Sequence, residues 1–125
     1  MAEDQTYSQP RHSLYAAVFA SMLPTLRDIA REHGYALGVH GSMQRDLDLI
    51  ACPWIEEASK PQVLVGALMS AVKGQFTWYN KSFEDPTVRP HGRISYAFYF
   101  DEKSHENENG PYIDISVMPR LQEVI

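Results

Sequence analysis

Apolar residues recur at steps of three and four, or side by side, between positions 13 and about 33: Tyr15, Val18, Phe19, Met22, Leu26, Ile29 and Ala30. That spacing predicts an amphipathic helix. Ser13 is its expected N-cap and Gly34 its expected stop. Pro24 falls inside the stripe and predicts a kink or two consecutive helices. The pattern then changes period. "YALGV" (35–39) and "LDLIA" (47–51) read as short strands, the second stopped by Pro53. A second helix is expected over about 60–73, with Ser59 as cap, Pro61 in the first turn and Gly74 at the end. Leu64, Val65, Leu68, Met69 and Val72 supply its apolar face. "QFTWY" (75–79) is a short strand or an aromatic loop, and 80–92, with Pro86, Pro90 and Gly92, reads as a loop. "RISYAFYF" (93–100) and "YIDISVM" (112–118) are strands rich in β-branched and aromatic residues. The polar "DEKSHENENG" between them reads as a long hairpin loop. The order α, β, β, α and two further strands predicts an α+β fold: a small mixed or antiparallel sheet with two main helices packed on it. Residues 1–12 are expected to be a flexible segment ahead of a single domain over 13–125.

Composition narrows the function classes. At 125 residues, one core is the expectation. A formal charge of -5 and a pI near 5.4 argue against general binding to DNA backbones. An anionic ligand therefore needs local help. The single Cys52 excludes an internal disulfide and a multi-cysteine zinc site, and fits a reducing compartment. No apolar run nears the roughly 18 residues of a membrane span. The start "MAEDQTYSQPRH" has no apolar signal core. A soluble cytoplasmic protein without membrane partners is the expectation.

Two aspartates stand out against this background. Side chains alternate along a strand, so Asp46 and Asp48 point one way and Leu47, Leu49 and Ala51 the other. Carboxylates about 7 Å apart on one strand repel each other, and folding gains little from them. Hard oxygen ligands on one face suit Mg²⁺ or Mn²⁺. The plainer alternative is a solvated strand face. The preceding Gly41-Ser42 makes a tight turn where backbone N–H groups and a hydroxyl can face an anion.

"GVHGS" followed by "DLDLI" resembles the nucleotidyltransferase fold of the DNA polymerase beta superfamily. That signature joins an apolar strand, a Gly-Ser pair and an Asp-x-Asp strand, with a third carboxylate on a later strand. The resemblance implies that Gly41 and Ser42 contact nucleotide phosphates and that Asp46 and Asp48 hold Mg²⁺ or Mn²⁺. "HGSMQRDLDLIACPW" also looks like a set of small uncharacterised proteins common in phage and prophage genomes. In "YIDISVM", Asp114 sits mid-strand among apolar neighbours, and a buried carboxylate needs a partner. The family pattern assigns it as the third metal ligand; the alternative is an edge strand with Asp114 in water. Only Met43, Gln44 and Arg45 separate Gly41-Ser42 from Asp46, which leaves no room for the family's phosphate-binding helix. Arg45 is the candidate to replace some of that positive potential.

His40 precedes the turn and is weighed as a structural residue. His33, His91 and His105 lack zinc-ligand spacing on one element. Trp54, Trp78, Tyr79, Tyr96 and Tyr99 are stacking candidates, with the core as the commoner destination. The expected activity is metal-dependent binding of a nucleotide triphosphate, with nucleotidyl transfer to a protein or RNA acceptor. The alternative is a non-catalytic relative that acts through protein interaction.

Overall fold

The computed structural model describes residues 2–43, 46–73, 86–99 and 111–121, with side chains from Ala16 onward. The chain forms an α+β fold. Its elements are α1 (Ala2–Glu32), β1 (Tyr35–His40), β2 (Leu47–Pro53), α2 (Pro61–Lys73), β3 (Thr87–Val88), a 3-10 turn (Pro90–Gly92), β4 (Ile94–Tyr99) and β5 (Tyr112–Val117). The expectations for "QFTWY", Gly74 and the 101–110 loop fall outside the described residues.

α1 starts at Ala2, ahead of the expected cap at Ser13. It also runs through Pro24 as one helix. Pro24 and Ala20, whose carbonyl the proline leaves without a helical donor, are both exposed, so water can satisfy that group. Gly34 ends the helix with φ +86, and a Cβ there would meet the Ala58 backbone at 2.9 Å. Only glycine fits both the left-handed turn and the close approach. Ser59 does not cap α2. The amides of Val63 and Leu64 donate to the Lys60 carbonyl, while the Ser59 amide donates to the His33 carbonyl. Ser59 Oγ also lies 2.9 Å from His33 Nδ1, and Tyr35 donates its hydroxyl to the Ser59 carbonyl. Ser59 thus ties the start of α2 to the end of α1.

The sheet order is β1-β2-β5-β4-β3. β1 and β2 pair antiparallel, β2 and β5 parallel, and β4 pairs antiparallel with both β5 and β3. β3 lies within the stretch expected to be loop. It has two exposed residues and exists by pairing with β4, so no apolar pattern announces it.

Period-two alternation gives the sheet two unlike faces. One carries Tyr35, Leu37, Leu47, Leu49, Ala51, Tyr96, Phe98, Ile113, Ile115 and Val117. These pack with Phe19, Met22, Leu23, Leu26 and Ala30 of α1 and Leu64, Val65, Leu68 and Val72 of α2 in a single core. The other face carries the polar residues of the same strands. Among the described residues, no helix is long and apolar enough to cross a membrane.

Candidate functional site

The strand registers arrange the polar face in rows. The first runs His40, Asp48, Asp114 and Ala97 across β1, β2, β5 and β4. Asp48 and Asp114 are direct partners in the parallel pair, on strands about 4.8 Å apart. Asp46 immediately precedes β2 and lies one step along, near Tyr112, on which its charge acts. All three aspartates are half-buried. Asp114 therefore does not lie alone in water at an edge. It occupies an inner strand, beside Asp48 and on its face.

This arrangement costs electrostatic energy. Burial raises the Asp114 pKa above the usual carboxylate range, and the Asp48 charge raises it further. Arg89, His40 and Arg93 act the other way. Tyr112 is pushed up to about 12, by burial first and then by Asp46, Asp48, Asp114 and Tyr99. Its hydroxyl therefore stays protonated at neutral pH. The Tyr112 ring lies 5.1 Å from that of Tyr99, tilted by 32°. Tyr96, by contrast, lies in the core.

The Gly41-Ser42 turn stands at the same end of the sheet. Gly41 has φ +83, and a Cβ on it would lie 3.1 Å from Asp48 Oδ2. The backbone thus comes close to the carboxylate, and the positive φ favours glycine at this position. Met43 also adopts a left-handed conformation, with φ 58, at a cost of about 1–2 kcal/mol. Its side chain packs against the core cluster, which offsets that cost. β1 ends at His40 and β2 begins at Leu47. Arg45 lies outside the described residues.

The next row pairs Gly38, Ile50, Ser116, Ser95 and Thr87. Two arginines reach it: Arg89 Nε donates to Ser95 Oγ at 3.1 Å, and Arg93 NH1 donates to Ser116 Oγ at 3.4 Å. Neither arginine was a sequence candidate: Arg89 lies in what reads as loop, and Arg93 opens the strand expected over 93–100. The signal was the spacing R-P-H-G-R (89–93), a turn flanked by arginines that fall on the same face once a hairpin forms.

Mg²⁺ typically binds through one or two carboxylates, with waters and substrate phosphates completing its shell. The Asp48–Asp114 pair with the Gly41 cradle fits that donor set. Among the described residues, no group of three His, Cys, Asp or Glu side chains converges as a metal site.

A separate cleft of about 420 Å³ lies against β1, the terminal strand of the sheet. It is lined by Arg27, Arg31, Tyr35, Ala36, Leu37 and Trp54 and includes none of the aspartates. The aspartates lie on the polar face of the sheet instead. Comparisons with protein-family models, with curated proteins and with solved structures each give no match.

Proposed function

We propose that the polar face is a minimal nucleotidyltransferase-like site that binds a nucleotide triphosphate through Mg²⁺ or Mn²⁺. The observation that carries this reading is the direct pairing of Asp48 with Asp114 beneath the Gly41 backbone. Asp48 and Asp114 would hold the cation, and Asp46 would add negative charge at the rim. Gly41 and Ser42 would face the phosphates. A bound divalent ion neutralises phosphate oxygens and lowers the pKa of an acceptor hydroxyl. The Tyr99–Tyr112 pair offers aromatic surface for a base beyond the aspartates.

The link between β1 and β2 favours binding over transfer. With only Met43, Gln44 and Arg45 between Ser42 and Asp46, the sequence leaves no room for a phosphate-binding helix at this turn. The isolated chain is then a metal-dependent nucleotide-binding module, and transfer to a protein or RNA acceptor would need a partner to hold that acceptor. A cytoplasmic setting and a phage or prophage origin belong to the same proposal, through the sequence resemblance. The test is calorimetric titration with each nucleotide triphosphate, with and without Mn²⁺, on the wild type and Asp48→Asn. Metal-dependent binding that Asp48→Asn abolishes supports the reading. Absence of binding under both conditions removes it. Robust labelling of an acceptor by a labelled triphosphate, lost in Asp48→Asn, would make the protein an enzyme instead of a module.

A further inference from the structure

The β3–β4 hairpin sets Arg89 and Arg93 opposite each other. Thr87 pairs with Ser95 and Val88 with Ile94, so the next step pairs the two arginines. The Arg89 amide donates to the Arg93 carbonyl at 2.7 Å, which closes the hairpin there. The turn between them is tight: His91 has φ 67 and Gly92 φ 76. Like charges directly across a strand pair destabilise it. A left-handed histidine adds further strain. The pair of guanidinium groups therefore sits at a tip that works against its own pairing.

Both arginines belong to the polar face, because they continue the alternation of Thr87 and Ser95. Each makes a hydrogen bond to a serine of the sheet. Arg89 is anchored on the Ser95 hydroxyl and Arg93 on the Ser116 hydroxyl. Those serines are 7% and 6% exposed, so the anchors are fixed within the sheet. Both side chains therefore lean along the strands toward the aspartates. The serine row lies one pleat, about 7 Å, from the row of Asp48 and Asp114. The positive charge of both arginines reaches Asp114.

We propose that Arg89 and Arg93 form the anion-binding half of the site and hold the polyphosphate tail of a nucleotide whose cation sits at Asp48 and Asp114. This rests on the proposed function and answers the question left by the short Gly41-to-Asp46 link. The positive charge that a helix would supply at the turn comes instead from the opposite end of the sheet. Guanidinium groups suit the task, since their fork of N–H donors matches phosphate oxygens. Each guanidinium gives one N–H to a serine and carries further N–H donors.

Anion binding and cation binding can be read separately. Inorganic tripolyphosphate is titrated into the wild type, Arg89→Gln, Arg93→Gln and the double variant, first with chelator and then with Mn²⁺. ATP is titrated in parallel, and circular dichroism checks each variant's fold. The wild type binds tripolyphosphate, and the double variant loses about tenfold or more in affinity for both ligands, as expected for lost charge-assisted hydrogen bonds. Mn²⁺ alone binds the double variant at least as well as the wild type, because the competing positive charge is gone. Unchanged tripolyphosphate affinity in the folded double variant overturns the inference and leaves the arginines as counter-charges to Asp114. Loss for tripolyphosphate but not for ATP overturns the assignment to a nucleotide tail. Failure of the wild type to bind Mn²⁺ removes the cation reading instead, and the chelated titration still decides the role of the arginines.

Discussion

The two faces of the sheet are made by the same strands, one residue out of step. Leu47, Leu49, Ile113 and Ile115 point one way into a closed core. Asp48, Ile50, Asp114 and Ser116 point the other way, where both aspartates are half-buried and Ser116 is buried. The first face stabilises: apolar area leaves water, and helices cover it. The second opposes folding in part, since it brings carboxylates together and raises the pKa of Asp114. A fold that spends stability on one face has to recover it on the other. The difference marks where half-buried charge is concentrated.

Adjacent residues on β2 give the largest expected contrast. Leu49→Ala removes a fully buried side chain and should cost about 2–5 kcal/mol in denaturant unfolding. Ile50→Ala, on the polar face, should cost about 1 kcal/mol or less. Equal losses would mean that both faces are core and would break the comparison.

Gly41→Ala is next in size. The substitution strains a left-handed position and puts a methyl group 3.1 Å from Asp48 Oδ2. A loss of about 1–2 kcal/mol is expected, together with loss of Mn²⁺ binding. Retained stability and retained Mn²⁺ binding would show that the turn does not hold Asp48 in place.

Asp114→Asn should act in the opposite direction and depend on pH. A carboxyl whose folded pKa is raised contributes stability that is full below its unfolded pKa and is lost as pH rises through the folded pKa. In metal-free buffer, the melting temperature of Asp114→Asn relative to wild type should therefore rise from pH 4 toward neutrality. A difference that stays flat over that window would remove the electrostatic cost assigned to Asp114. Tyr112 provides a smaller, spectroscopic check. Its ultraviolet titration, isolated by difference against Tyr112→Phe, should centre near pH 12.

Much of this architecture was legible in local pattern. Period-two alternation located β1, β2, β4 and β5, and a three-to-four repeat located α2. These signals report burial, which each strand or helix carries in its own residues. The start of α1 was not legible because its first turns have no apolar stripe to mark them. β3 was missed because pairing alone defines it. Ser59 looks like a cap because its neighbours make a helix start, but its partner, His33, is distant in sequence. The site followed the same division. Alternation put Asp46 and Asp48 on one face, but only the parallel register of β2 and β5 sets Asp114 against Asp48. Arg89 and Arg93 were invisible for the same reason: their chemistry depends on a hairpin that their own segment does not announce.

Mn²⁺-dependent melting addresses the paired carboxylates most directly. A ligand that binds only the folded state raises its stability by about 2.7 kcal/mol at a hundredfold excess over Kd. Millimolar Mn²⁺ should raise the melting temperature of the wild type, and raise it much less for Asp48→Asn and Asp114→Asn. Equal shifts in all three proteins, or no shift in the wild type, would mean that Asp48 and Asp114 hold no cation and that the polar face is only a solvated side of the sheet.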